Sequence, residues 1–338
     1  MIDVVGEARS LAEHGSVHDA IALLTDANRA HRDAAIECEL VRIRHEGFDR
    51  LPPAPPAASP PRVRASATRA DGLPGIDPAQ LSVARIREGL AEHGCLHVRG
   101  LVPPARVATL VDGIDHAFAA FDEVEGSGGG GGDVDPGWYT PFVPKPGEYR
   151  VAGRRTWLRG GGALWTADSP RMLFELTDLV ESLGVGEVVA DLLGERPALS
   201  ANKCTLRRTA VDTIGGWHQD GAFLGEEIRT INLWIALTDC GVDAPTMDIV
   251  PARLDHIVPT GTDGAIFDWS VGDGAVERAA GSVGVLRPTF AAGDALFFDH
   301  LLLHRTAAEP SMTRERHALE TWFFAPSTYP KGQIPLVY

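Results

Sequence analysis

Apolar residues repeat every three to four positions over the first fifty residues of the chain. Runs with this period cover positions 5–12, 20–27 and 36–43, and a Gly-Ser pair at 15–16 separates the first two. Side chains at this spacing lie on one face of a helix, so the pattern predicts three helices. Part of it is similar to half of a tetratricopeptide-type hairpin, but no second copy follows and stacked repeats need about three. We therefore expect residues 1–50 to be a helical extension that packs on the main domain or on a partner subunit.

Prolines dominate residues 51–62, and this composition predicts an extended, semi-rigid linker, which we place at residues 51–70. Residues 71–338 then form the main domain. Asp77 and Pro78 predict the start of a helix, because Asp is a preferred cap and Pro a preferred first helical residue. A short strand at 95–101 and a second helix at 105–121 follow from the apolar pattern.

Eight short apolar or alternating segments, separated by Gly, Pro and Asp, come after two further predicted helices at 169–183 and 186–193. The segments are 199–206, 216–220, 230–238, 247–250, 284–286, 295–298, 301–306 and 317–324. Many short strands with this punctuation predict an antiparallel sandwich or barrel of jelly-roll type. The expected fold class is therefore mainly β with flanking helices.

Composition excludes several classes of protein. The chain is 44% hydrophobic and 23% charged, it has no run of about 18 apolar residues, and its first residues do not have the pattern of a signal peptide. Its four cysteines form no C-x-x-C motif, so we expect structural cysteines in a reducing, cytoplasmic compartment. A net charge of −15 disfavours nucleic acid and anionic membranes as partners.

Two other segments are candidates for the surroundings of a site. The glycine run at 126–132 lacks the Lys-Ser/Thr of a phosphate loop, and it predicts a mobile loop near an active-site mouth. The cluster of Arg154, Arg155 and Arg159 around Trp157 is typical either of a site for an anionic substrate or of a solvated surface strand.

The candidate chemistry centres on Trp217-His218-Gln219-Asp220-Gly221. On an extended strand, positions i and i+2 point to the same face, so His218 and Asp220 can meet one metal ion. His304 on a late strand offers a third ligand. Two histidines and one carboxylate on one face suit non-haem Fe(II) and leave other positions open. We interpret His300 as a supporting or core residue, and His256 and His317 as solvent or core residues.

A carboxylate-binding residue is expected on the last long strand. Arg316, Ala318 and Glu320 share one face there, so Arg316 can project into the cavity and offer two donors to a carboxylate. The spacing also allows Arg314. By the same alternation Thr306 shares a face with His304, and Trp234 lines the cavity. Lys203 either reaches into the cavity or lies at a strand edge.

Together, these stretches resemble the phytanoyl-CoA dioxygenase family of Fe(II)/2-oxoglutarate-dependent oxygenases. The resemblance covers roughly residues 71–325 and rests on the segments 217–221, 230–237, 293–297, 304–306 and 316–319. It implies a double-stranded β-helix that binds Fe(II) through His218, Asp220 and His304. It also implies that Arg316, helped by Thr306 and Trp234, binds 2-oxoglutarate. The chain departs from the family in its N-terminal helices, its glycine run and Arg305, where a glycine is usual.

The resemblance also narrows the reaction. Halogenases of this family have a small residue at the position of Asp220, so a carboxylate there favours hydroxylation or a related oxidation such as desaturation or ring formation. The expected activity uses O2, oxidises a small organic substrate and releases succinate and CO2. A non-redox, cupin-like protein that binds a metal or ligand is the alternative. A third hypothesis is an interaction protein that acts through its N-terminal helices, and homo-oligomerisation stays open.

Overall fold

The computed structural model describes most of the chain. The described residues are 3–52, 73–127, 133–213, 215–262 and 264–338. Nearly all of the predicted proline-rich linker and of the predicted glycine-rich loop fall in the gaps. These two predictions therefore lie outside the described residues.

The first three helices follow the predicted periodic runs. They are α1 (Val4–Glu13), α2 (Val17–Ala30) and α3 (Ala34–Glu46). The carboxylates of Asp3 and Asp33 accept hydrogen bonds from backbone N–H groups in the first turns of α1 and α3, which fixes where these helices begin. Their apolar faces share a core with Phe174 and Val337. The helices thus pack on the rest of the chain, which was one of the two expectations for them.

Seven further α-helices and eleven strands are found in the described part of the chain. The helices are α4 (Val83–His93), α5 (Pro104–Gly126), α6 (Arg154–Gly160), α7 (Pro170–Ser182), α8 (Val185–Leu193), α9 (Gly221–Leu224) and α10 (Asp273–Ala280). The strands are β1 (Gly75–Ile76), β2 (Cys95–Val98), β3 (Ala163–Trp165), β4 (Ala198–Ser200), β5 (Thr205–Thr209), β6 (Thr230–Ala236), β7 (Thr246–Ile249), β8 (Ala295–Phe298), β9 (His304–Ala307), β10 (Arg316–Phe324) and β11 (Pro335–Val337). In the described part of the chain, helices contain more residues than strands. The fold is a mixed sheet with flanking helices, and the expected "mainly β" class applies only to its core. None of the described helices has both the length and the apolar character that a membrane span requires.

Nine strands form one mixed sheet with β10 near its middle. The strand order is β1-β2-β8-β6-β10-β4-β11, and β5 pairs with both β10 and β3. The β1–β2 pair is parallel, whereas β10 is antiparallel to β4, β5 and β6. Strands β7 and β9 form a separate two-stranded sheet in which Ile249 lies opposite His304.

Strand β10 separates two cores, because successive side chains of a strand point to opposite faces. Leu319 and Phe323 belong to the core that the large sheet shares with α5 and α7. Ala318 and Trp322 belong to a second core, which also contains Met247 of the small sheet. The two sheets therefore enclose an inner space, which we call the inter-sheet space.

Two predictions near the start of the domain were wrong in detail. The helix expected from Pro78 begins at Val83, because Asp77 and Pro78 start a single 3-10 turn and the Ser82 hydroxyl caps the helix instead. The surface strand considered for the arginine cluster is the helix α6.

The segment 216–220 is not a regular strand. It pairs only through isolated bridges at Trp217 and His218. Asp220 has helical backbone angles (φ −61°, ψ −24°), because α9 begins directly after it. The predicted strand 199–206 is split into β4 and β5, and 284–286 keeps a single bridge at Leu286.

Candidate active site

The two histidines of the predicted triad lie directly opposite each other in an antiparallel bridge. The His218 N–H donates to the His304 carbonyl at 2.9 Å, and the His304 N–H donates to the His218 carbonyl at 3.0 Å. Residues that exchange both bonds in this way project their side chains to the same face. Their ring centroids are accordingly 4.4 Å apart.

Asp220 joins the histidines from the turn that starts α9. One ligand atom each of His218, Asp220 and His304 lies within 4.8 Å of the other two, and Asp220 Oδ2 is 3.8 Å from His304 Nε2. This is the one group of three such side chains found among the described residues. The expected convergence is present, although the strand geometry that motivated it ends at Asp220.

Hydrogen bonds orient both rings for metal binding. His218 Nδ1 lies 2.9 Å from the Gly216 carbonyl, and His304 Nδ1 lies 3.0 Å from the Leu302 carbonyl. A carbonyl can only accept, so each Nδ1 carries the proton and each Nε2 keeps its lone pair for a metal. Backbone partners of this kind are the usual support of metal-binding histidines.

The charges of the site also fit a cation. Burial, together with the neighbouring His304, lowers the pKa of His218 to about 4, so its ring is neutral at pH 7. Burial alone would raise the pKa of Asp220, but Lys203 and the two histidines outweigh it and lower that pKa. Neutral imidazole and ionised carboxylate are the forms that bind a metal.

Lys203 reaches into the site rather than lying at a strand edge. Its Nζ is 2.7 Å from Asp220 Oδ1, and it lies over the rings of Phe223 (5.4 Å) and Trp322 (5.9 Å). Lys203 occupies one oxygen of Asp220, and the other oxygen faces His304. The carboxylate thus presents a single oxygen to an ion.

Arg316 is buried and faces the inter-sheet space. Its Nη1 donates to the Thr246 carbonyl at 2.8 Å, its Nη2 donates to Thr209 Oγ1 at 3.0 Å, and its guanidinium lies 5.4 Å from the Trp234 ring. Burial lowers the pKa of Arg316 to about 10. Within the described residues no carboxylate lies within 4 Å of this guanidinium, and its Nε has no hydrogen-bond partner. A buried cation without an anion is costly, so the site suits an anionic ligand.

The other candidate arginine is placed differently. Arg314 precedes β10, its side chain is more than half exposed, and its Nε and Nη2 each lie 3.0 Å from an oxygen of Asp243. It is a surface residue that already has a carboxylate partner.

Thr306 and Trp234 lie where the alternation predicts. Thr306 is two residues after His304 on β9 and pairs with Met247, which belongs to the core between the sheets. Trp234 lies in the same core, with its ring 5.0 Å from that of Phe290.

Other predicted residues do not join the site as ligands. His300 Nε2 lies 3.3 Å from the Glu226 carbonyl, and the His300 carbonyl accepts from the Gly221 N–H, so it supports the turn at α9. His317 pairs with Asp115 at 3.0 Å.

The three arginines of α6 differ in their partners. Arg155 pairs with Asp168 and Arg159 with Asp122, whereas Arg154 lies 5.9 Å from the exposed Trp157 ring. The pairing of Arg155 and Arg159 weighs against the anionic-substrate interpretation.

Sequence reasoning missed Gln219 and Arg207. The buried Gln219 amide donates to the carbonyls of His256 and Leu301 and accepts from the Val258 N–H, so it fixes the backbone between the two ligands. Arg207 on β5 lies 3.7 Å from Glu320. Arg207 lies opposite Ala318 of β10, a cross-strand neighbour that no local pattern indicates, and nothing local indicates the loop that Gln219 contacts.

Two histidines and one carboxylate on one side of a shared point define a centre of the non-haem iron type. Residues 90–318, well over half of the chain, match the phytanoyl-CoA dioxygenase (PhyH) family. The chain therefore belongs to this family, which confirms the resemblance drawn from its motifs.

Solved structures that resemble the chain include a carbocyclase, AviO1 and EctD. The non-haem alpha-ketoglutarate-dependent carbocyclase SnoK from nogalamycin biosynthesis is 18% identical, with a TM-score of 0.44 over 74% of this chain and 87% of its own. AviO1 from Streptomyces viridochromogenes Tue57 has the same identity and TM-score over 74% and 98% of the two chains. EctD from S. alaskensis, solved with 2-oxoglutarate and 5-hydroxyectoine, is 16% identical, with a TM-score of 0.48 over 81% and 89%. No curated protein sequence matches the chain closely enough to count as a relative.

Assignment of the chain therefore rests on the family match and on the geometry of the site. Together these confirm the expected Fe(II), 2-oxoglutarate and O2 as cofactor and co-substrates. The chain is an oxygenase of this kind.

Proposed function

We propose that this chain is a dioxygenase of hydroxylase type that oxidises a small organic substrate and releases succinate and CO2. The observation that carries the proposal is a buried arginine without a carboxylate partner, Arg316, on the inter-sheet space that also receives the three ligand side chains. In this proposal residues 71–338 form a double-stranded β-helix domain and residues 1–50 an accessory extension. All four cysteines are free, which supports a reducing, cytoplasmic location.

Each site residue has one role in this proposal. His218 and His304 hold Fe(II) through Nε2, and Asp220 holds it through Oδ2. Arg316 binds the far carboxylate of 2-oxoglutarate through its guanidinium, with Thr306 and Trp234 beside it. When bound, Fe(II) and 2-oxoglutarate supply the activation of O2, and the co-substrate becomes succinate and CO2.

The protein's own contribution is geometry and exclusion of water. His218, Asp220 and His304 would hold the metal from one side and would leave it accessible to the co-substrate and oxygen. Phe298, whose ring is 5.1 Å from that of His304, and Trp322 line the inner core around the ligands. A dry, apolar lining strengthens the charge interactions at the metal and protects reactive species from water.

Hydroxylation, or a related oxidation, is supported by Asp220. Its carboxylate occupies the third ligand position, and Lys203 holds its second oxygen. This leaves no room in the triad for an exogenous halide in place of the carboxylate.

Succinate release tests the proposal. Wild-type protein with Fe(II), 2-oxoglutarate and O2 should release succinate slowly even without a primary substrate, and His218→Ala should release none. Calorimetry under anaerobic conditions should show 2-oxoglutarate binding that requires the metal. If the wild type neither releases succinate nor binds 2-oxoglutarate in a metal-dependent way, the alternative of a non-redox, cupin-like binding protein would be favoured instead.

The same assay tests the extension. A chain that lacks residues 1–60 should keep its succinate release per folded molecule, because no triad residue lies in α1–α3. Loss of turnover in a folded truncated chain would assign the helices a direct part in the reaction.

A further inference from the structure

Three exposed aromatic side chains surround the outer side of His218. Phe223 lies in α9, and Phe267 and Trp269 lie on the segment between β7 and α10. The His218 ring centroid is 5.8 Å from that of Trp269 and 6.2 Å from that of Phe223. Phe223 and Trp269 are 6.1 Å apart, and Phe267 stacks on Trp269 at 5.0 Å with an interplanar angle of 5°. We call Phe223, Phe267 and Trp269 the aromatic mouth.

These side chains are exposed although they are apolar. Phe223 is 44% exposed, Phe267 40% and Trp269 37%, and the adjacent Ile266 is 58% exposed. The other large apolar side chains with comparable exposure in the described residues are Val143, Trp157, Val242 and Val285, which belong to other segments. A contiguous exposed apolar cluster marks a binding surface more often than a scattered residue does.

The rings are held in place by the same backbone that positions the metal ligand. A methyl group at Gly216, two residues before His218, would lie 3.0 Å from Trp269 and 3.1 Å from Phe267. The two stacked rings thus lie directly on the backbone of the ligand segment. A molecule held by these rings would therefore lie beside His218, one of the three candidate ligands.

Charge around the mouth disfavours a polyanionic ligand. Asp268, between the two stacked aromatic residues, and Glu226, three residues after Phe223, are exposed acidic residues. The nearby cation, Lys203, is 5.4 Å from the Phe223 ring but is paired with Asp220. A phosphate-bearing thioester would meet acidic side chains at the rim, whereas an uncharged flat ring would meet aromatic faces.

We propose that the aromatic mouth binds a planar, apolar ring system of the primary substrate, which carries no anionic group near that ring. Stacking on Trp269 and Phe223 would hold this ring beside His218, one of the three residues that would hold the metal, so that a carbon next to the ring would be the one oxidised. Aromatic faces favour offset or edge contacts with another ring and accept many ring substituents. This inference rests on the proposed function for its catalytic meaning, but the binding site exists independently of turnover.

Binding of 2-naphthol tests the proposal. The probe is titrated into protein loaded with Mn(II) and 2-oxoglutarate, and binding is followed by calorimetry and by Mn(II)-induced relaxation of the naphthol proton signals. We expect saturable binding with enhanced relaxation in the wild type. Trp269→Ala and Phe223→Ala should each weaken binding roughly 5-fold or more, as expected for loss of a stacking face.

Trp157→Ala is the matched control. Trp157 is 64% exposed and lies on α6, directly before β3. Strand β3 is separated from β10 by β5. Its substitution should leave naphthol binding unchanged. Trp269→Phe, which keeps a ring, should retain most of the affinity and separates loss of the ring from misfolding.

Three results would overturn the inference. One is no naphthol binding by the wild type, and another is equal binding by wild type and both alanine variants. The third is that palmitoyl-CoA binds more tightly than 2-naphthol and loses affinity in Trp269→Ala. Failure of the proposed function looks different, because metal-dependent 2-oxoglutarate binding would then be missing in the wild type whatever the naphthol result.

Discussion

The two faces of strand β10 carry different kinds of side chain although they share one backbone. Toward α5 and α7 the strand presents Leu319 and Phe323, and their surroundings are apolar. Toward the small sheet it presents Arg316 and Glu320, among aromatic rings. Because neighbouring residues of a strand point in opposite directions, one segment can stabilise the fold on one side and bind a ligand on the other.

Buried charged side chains also differ, in whether another side chain of the protein neutralises them. Glu37 is buried in α3 and pairs with Arg171 at 3.1 Å, which ties the N-terminal helices to α7. Arg316 is equally buried without such a partner. Arg44 in α3 is another buried arginine, and it donates to the Val337 carbonyl. No group of metal-ligand side chains within the described residues includes that region, so an unpaired charge indicates a site only where ligands accompany it.

The largest effect is expected from Phe323→Ala on the helix-facing side. Removing this fully buried ring should lower the free energy of unfolding by about 3–5 kcal/mol, measured by urea denaturation. The folded fraction should still bind 2-oxoglutarate with wild-type affinity. Weakened binding by folded Phe323→Ala protein would show that the two faces are coupled.

Arg316→Met should act on the other side. Truncating one partner of a buried charge pair costs about 2–5 kcal/mol, so the affinity for 2-oxoglutarate should fall roughly 30-fold or more. The free energy of unfolding should fall far less than in Phe323→Ala, because the apo protein loses a buried unpaired cation. Arg314→Met, on the surface, is the control and should bind normally. The reverse result would make Arg314 the anchor.

Lys203→Met should weaken metal binding. Without Lys203, Asp220 loses the bond that leaves one oxygen for the ion, and outer partners of metal ligands typically contribute about 10- to 100-fold in affinity. Mn(II) binding followed by electron paramagnetic resonance gives this number without any turnover. Lys145→Met removes a similar lysine–aspartate pair, to Asp49 at 2.7 Å, far from the triad in sequence, and should leave Mn(II) binding unchanged. Equal Mn(II) affinity in both variants would remove Lys203 from the site.

The smallest effect concerns paired charge in the N-terminal helices. Burial would raise the pKa of Glu39, but hydrogen bonds from Arg9 and Arg42 outweigh it and lower that pKa from 4.5 to about 2. The ionised form is therefore favoured in the folded state, so its contribution is complete above about pH 4.5 and is lost as the pH falls towards 2. After allowance for the exposed arginines, Glu39→Gln should cost about 1 kcal/mol at pH 7. In urea denaturation this difference should shrink between pH 5 and pH 2, and a constant difference would contradict the pKa shift.

Periodicity predicted the parts of the molecule that depend on local pattern. The three N-terminal helices follow from it, and so does the shared face of Arg316 and Glu320. The pairing of His218 with His304 depends on a long-range bridge, which no local pattern predicts; the sequence indicated it only through the residue types that suit one metal and through the family resemblance.

The remaining features depend on tertiary contacts. The aromatic mouth joins Phe223 to Trp269 across two strands, β6 and β7, so no single window of helix or strand period contains both residues. Lys203 lies in the turn between β4 and β5, where neither helix nor strand period assigns a direction. Asp220 does not continue the predicted strand because α9 begins directly after it.

Hydrogen bonds within the protein fix the ring orientations of His218 and His304: their mutual backbone bridge and the two carbonyls that hold Nδ1. These hydrogen bonds do not involve an ion, so we expect metal binding to complete the site without driving the folding of the chain. We expect the protein to survive chelation with its thermal unfolding profile nearly intact and to take up a replacement ion within the time of mixing. On this expectation the metal exchanges without unfolding of the chain. The supply of metal, rather than refolding, then sets how quickly an inactive molecule becomes active.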